Sequence, residues 1–72
     1  MCKETAFFIY LIERYAEKKG KTANQVLKEW DDMGLTDFIY DMYEIYHVER
    51  LQNAFDDIDQ LIEEKKNNVG TV

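Results

Sequence analysis

The chain has no proline, one cysteine, one histidine and only three glycines. Without proline, nothing forces a break inside a helix. A lone cysteine, Cys2, excludes an internal disulfide, and at a chain terminus it reads as inert. One Cys and one His do not supply a zinc site. There is no G-x-S-x-G turn, no glycine-rich phosphate loop and no second histidine, so no enzymatic activity and no cofactor are expected. The longest apolar run, residues 6–12, is too short to span a bilayer. It also lacks a basic leader and a cleavage site. Met1 reads as a natural start, and a soluble cytoplasmic protein is the expectation.

Basic residues are scarce in one half only. Residues 1–36 hold six acidic and six basic side chains. Residues 37–72 hold nine acidic side chains against Arg50, Lys65 and Lys66, so this half carries the whole net charge of −6. The acids are interleaved with regularly spaced apolar residues, which marks an ordered acidic surface and not a disordered tail. Such a surface repels nucleic acid and anionic membrane, and it suits a basic protein face.

What remains is apolar and helical. Hydrophobic residues make up 46% of the 72-residue chain and aromatics 14%, ample for a core. A chain of this length forms one domain and is marginal alone, so close helix packing or self-association must supply stability. The pattern predicts an all-α bundle of three to four helices at about 3–19, 22–33, 35–46 and 48–66, with residues 67–72 as a frayed tail. Gly20 and Gly34 fall where helices should stop. Thr22-Ala23-Asn24-Gln25 fits a capping box. Residues 7–12 are apolar all round the first helix, which therefore needs cover on more than one side. A bend is expected near residues 47–50. No Gly or Pro marks it, and one continuous helix is the alternative. The expected core is Phe8, Leu11, Ile12, Tyr15, Val26, Leu27, Trp30, Leu35, Phe38, Ile39, Met42, Leu51, Phe55, Ile58 and Ile62.

Several constellations have a functional and a plainer reading. Glu49, Gln52, Asp56, Asp59 and Glu63 form a stripe on the last helix, suited to Lys or Arg on another protein. The plainer reading is a solvated face. Asp37, Asp41 and Glu44, with Tyr40 beside them, extend that surface, since tyrosine among carboxylates suits an arginine-receiving interface. An ordinary wet face is again the alternative. Phe7 and Tyr10 on the leftover side of the first helix are candidates for a homodimer contact.

Other patterns are weaker. Glu44-Ile45-Tyr46-His47 has the E-x-x-H spacing of di-iron bundles, but those sites need two such motifs and two further glutamates. His47 reads instead as a helix C-terminal residue. Asp56-Asp57-Ile58-Asp59 lacks the glycine and loop of an EF-hand. No metal is expected. The second helix, Gly34 and the third helix mimic a helix-turn-helix, but the third helix carries Asp37, Asp41 and Glu44 and no basic residue, against DNA binding.

The segment Gly34-Leu35-Thr36-Asp37-Phe38-Ile39-Tyr40-Asp41-Met42-Tyr43-Glu44-Ile45-Tyr46-His47, followed by Asp56-Asp57-Ile58-Asp59-Gln60-Leu61-Ile62, resembles the domain-of-unknown-function family 3791, small bacterial proteins of about this length. Phe7-Phe8-Ile9-Tyr10-Leu11-Ile12 and the Gly20…Thr22 helix start are similar too. The resemblance spans residues 3–65 and contains no catalytic motif. Many members have a small polar turn after the histidine, where this chain has Val48-Glu49-Arg50. Genes of that family often lie beside one for a toxin resembling ADP-ribosyltransferases. The resemblance thus implies an antitoxin-like or accessory partner role.

Overall fold

The computed structural model describes residues 1–69, and every regular element among them is helical. They are α1 (Lys3–Lys19), α2 (Ala23–Asp32), α3 (Thr36–Asp41), α4 (Tyr43–Tyr46) and α5 (Leu51–Val69). The all-α architecture expected from periodicity is what the chain adopts.

Local chemistry sets the boundaries. Gly20 and Gly34 both sit at φ 69°, the left-handed region that side chains rarely tolerate. After each, an amide reaches back five residues. Lys21 N–H donates to Ala16 O at 2.9 Å and Leu35 N–H to Trp30 O at 2.8 Å. Open space surrounds both glycines, so conformation and not crowding demands them. The capping box at Thr22 is complete. Its hydroxyl accepts from Gln25 N–H at 3.1 Å, and Gln25 Oε1 accepts from Thr22 N–H at 2.9 Å.

Two expectations are corrected and one is met. The third helix is not continuous over 35–46. Met42, at φ −82° and ψ 11°, separates α3 from α4. The bend expected near residues 47–50 is present, and the last helix starts directly after it, at Leu51. It continues to Val69, so residues 67–69 are helical, and residues 70–72 of the expected tail lie outside the described residues.

The core is Leu11, Ile12, Tyr15, Ala16, Val26, Trp30, Leu35, Ile39, Tyr46, Ala54, Phe55 and Ile58. Phe8, Leu27, Met42, Leu51 and Ile62 pack against it, half-buried. Phe38, expected inside, is 47% exposed. The inward stripe of α3 and α4 is narrow: Leu35, Ile39, Met42 and Tyr46, at steps of four, three and four. At about 100° per residue, Phe38 and Ile45 fall on its flank, well away from the centre. Ile45 is correspondingly 52% exposed.

Helix α1 is central. It packs on α2, α3 and α4, and Tyr15 carries it to α5 through an edge contact with Phe55 at 5.5 Å. Tyr15 and Phe8 also enclose Trp30, with centroids at 5.5 and 5.9 Å. The all-round apolar run is thus covered on three sides. Leu11 and Ile12 are buried, Phe7 and Phe8 half-buried, and Ile9 and Tyr10 remain at the surface.

Candidate interaction surface

Two tyrosines, one on α1 and one on α4, fasten α5 to the rest of the fold through its carboxylates. Tyr15 is in the core, and its hydroxyl donates to Asp59 Oδ1 at 2.5 Å. Lys19 Nζ reaches the other oxygen of Asp59 at 2.8 Å. Tyr46 is 1% exposed, and its hydroxyl donates to Asp57 Oδ2. A buried hydroxyl needs a partner, and a carboxylate on the neighbouring helix supplies one without itself being buried. Burial, then the adjacent carboxylate, pushes both phenols up from their ordinary value. Partial burial pushes the Asp59 carboxyl up, but the hydrogen bonds from Lys19 and Tyr15 outweigh it, and the net displacement is downward.

These contacts re-sort the acidic residues. Asp59 is engaged within the fold. Tyr40 is not a free docking tyrosine either. Its hydroxyl is 2.7 Å from Thr5 Oγ1 and its ring lies 5.6 Å from Phe8, so it ties α3 to the start of α1. Cys2 Sγ is within 3.1 Å of Thr5 Oγ1 and 3.6 Å of Tyr40. Hydrogen bonds from Thr5, then Tyr40, lower the exposed thiol from its ordinary value.

Asp37, Asp41, Glu44, Glu49, Asp56 and Glu63 are all exposed. Among the described residues none of these six is ion-paired with a basic side chain. Asp56 accepts from Gln52 Nε2 at 2.8 Å. Phe38 and Ile45 place exposed apolar side chains on the same short elements as Asp37, Asp41 and Glu44.

Around α1 a second, aromatic surface forms. Phe7 is 6.5 Å from Tyr10, 5.7 Å from Tyr43 and 6.4 Å from His47. His47 stacks on Tyr43 at 4.1 Å and 6°. Its Nδ1 lies 2.6 Å from Tyr43 O, so Nδ1 carries the proton and donates it to that carbonyl. The imidazole therefore closes α4, and the exposed Glu44 is turned away from the core, so the E-x-x-H spacing builds no inward-facing pair.

An open groove of about 480 Å³ lies between α1, α2 and α5. Its charged lining is Lys19, Lys21, Lys66, Glu29, Asp59 and Glu63, the last also one of the six exposed carboxylates above. Two of its lysines are already spent on internal pairs, Lys19 with Asp59 and Lys21 with Glu29 at 2.7 Å. Its charge is largely self-neutralised, and nothing in it resembles an activated nucleophile with an adjacent base.

The anchoring roles of Tyr15, Tyr46, Asp57 and Asp59 are not readable from helical spacing. The available signal was that two tyrosines fell on core stripes, where their hydroxyls had to find partners. No helix among the described residues is long and apolar enough to cross a membrane. No curated protein and no solved structure matches the chain. Residues 6–65 match the family model described as a protein of unknown function, DUF3791. That match takes in all of α2, α3 and α4 and most of α1 and α5, and the chain belongs to the DUF3791 family.

Proposed function

We propose that the chain is a non-enzymatic cytoplasmic interaction module whose acidic surface receives a basic face of another protein. The observation that carries this is the set of six exposed carboxylates, Asp37, Asp41, Glu44, Glu49, Asp56 and Glu63, none ion-paired among the described residues, with exposed Phe38 and Ile45 on the same short helices as Asp37, Asp41 and Glu44. Unpaired charge of one sign steers encounter, and a modest apolar area beside it holds the complex. Tyr40 and Asp59 support the surface from within and are not contact residues in this reading. The family resemblance suggests the partner: the toxin-like protein encoded beside such genes, with this chain as its antitoxin or accessory subunit.

The test is the association rate with the product of the adjacent gene. Charge reversal at Asp56 and Glu63 together is expected to slow association several-fold at low salt and to matter little at high salt. An unchanged on-rate at low salt removes the acidic face from the interface.

A second reading, a structural homo-oligomer with no separate partner, is favoured by Tyr10, which is 51% exposed on α1 beside Ile9. Native co-purification distinguishes the two. A stoichiometric basic protein supports the first, and self-copies alone support the second.

A further inference from the structure

The exposed side of α1 has an order that suits one occupant. Lys3, Phe7, Tyr10, Arg14 and Glu17 recur at steps of four, three, four and three, so they lie along one stripe of the helix. Lys3, Tyr10, Arg14 and Glu17 are exposed, and Phe7 is half-buried against Tyr43 and His47. The stripe starts with a cation, has aromatic rings in its middle, and ends with a cation and an anion. It is self-complementary only when reversed.

We infer that this stripe is the contact between two copies of the chain, paired antiparallel through α1 about a two-fold axis at Tyr10. Reversal about Tyr10 sets Lys3 of each copy opposite Glu17 of the other. It stacks the two Tyr10 rings at the axis. It also brings Arg14 over Ala6 and beside the Phe7 ring of the second copy, where a guanidinium is attracted to the ring face. Arg14 already behaves this way within one chain, lying 5.8 Å from the Tyr10 centroid. Parallel pairing would instead oppose Lys3 to Lys3 and Glu17 to Glu17.

Charge balance selects the occupant. The acidic half would repel its own copy, whereas the stripe carries two cations and one anion, beside Glu13. Lys3 has no ion-pair partner among the described residues. Glu17 is held only loosely by Arg14, at 3.8 Å with Glu17 73% exposed. Pairing through α1 leaves Asp37, Asp41, Glu44, Asp56 and Glu63 outside the contact, so the inference is compatible with the first function proposed above, and it rests on and specifies the second, self-association reading. One helix face plus the Tyr43–His47 ledge is a small interface, and the dimer is weak, with Kd on the order of 10–100 μM.

Sedimentation equilibrium of the whole chain, to about 1 mM so as to exceed that Kd, tests the pairing. Lys3→Glu and Glu17→Lys are each expected to weaken the dimer about three- to tenfold, and the double exchange to restore it, since the symmetric contact is then rebuilt with its signs reversed. Oxidation of a Cys2→Ser, Tyr10→Cys chain is expected to give a disulfide dimer. A Cys2→Ser, Asn53→Cys chain, which keeps Tyr10 and therefore the α1 pairing, should form no disulfide-linked dimer under the same oxidation. A chain that is monomeric throughout overturns the inference. So does a dimer indifferent to both charge changes, or one that the double exchange does not rescue.

Discussion

Asp59 shows how one carboxylate can carry a helix interface. It accepts from the buried Tyr15 hydroxyl and from Lys19, thereby joining α5 to α1. Tyr15→Phe is expected to cost about 1 kcal/mol, and Tyr46→Phe a similar amount, each measured by urea unfolding. Asp57→Ala is expected to cost more, about 1–3 kcal/mol, because it strands the buried Tyr46 hydroxyl. In the double variant Asp57→Ala, Tyr46→Phe the two losses should fall short of their sum. Strict additivity would show that the hydrogen bond contributes nothing.

The same pairs set the pH response. The phenols of Tyr15 and Tyr46 are raised in the fold, so folding binds their protons more tightly than the unfolded chain does. Their contribution is complete below the ordinary tyrosine value of about 10 and declines as pH rises through the folded values. Asp59 is displaced downward, so its contribution is present above the ordinary carboxylate value of about 3.9 and is lost as pH falls through the folded value. Ultraviolet titration of phenolate should therefore show a late-ionising fraction that coincides with unfolding and shrinks in the Tyr15→Phe and Tyr46→Phe chains.

Among the elements, the boundaries with a chemical marker are the ones legible in the sequence. Thr22 with Gln25, Gly20 and Gly34 each perform the capping role that their residue types announce. Gly20→Ala and Gly34→Ala are each expected to lower stability by about 1 kcal/mol, although there is room for the methyl group, because both sites need positive φ. Thr22→Ala should cost about 1 kcal/mol. Thermal unfolding followed by circular dichroism would check all three.

Unmarked boundaries were harder to read. The break at Met42 has no Gly or Pro, and the amides on either side rebond locally, Met42 N–H to Ile39 O and Ile45 N–H to Met42 O. Sequence periodicity runs through so small a disturbance without registering it. Phe38 was misplaced for a related reason. A broad apolar arc does not say which of its members lies at the centre, and neighbouring helices decide that. Tyr40 and Asp59 stay partly exposed, as spacing suggests, but their hydroxyl and carboxylate contacts reach Thr5 and Tyr15, residues 35 and 44 positions away. Helical spacing holds no record of contacts at that range.

At the scale of the molecule, the acidic half works against its own fold. Residues 37–64 hold nine acids and one base. Asp37 with Asp41, and Asp59 with Glu63, stand four apart on single helices, where like charges repel by a few tenths of a kcal/mol per pair. Among the described residues four ion pairs at or near the surface oppose this, each worth about 0–1 kcal/mol. Added salt screens both contributions, but the net charge of −6 leaves repulsion in excess. The melting temperature is therefore expected to rise by a few degrees, about 2–5 °C, between low ionic strength and about 0.5 M sodium chloride. Association with a basic partner should respond with the opposite sign, slowing over the same range as steering is screened. The opposed trends arise from one surface. Neutralising Asp56 and Glu63 by Asp56→Asn and Glu63→Gln should flatten both salt dependences together. A variant that flattens the stability trend but leaves the association trend intact would place the partner's contact elsewhere on the molecule.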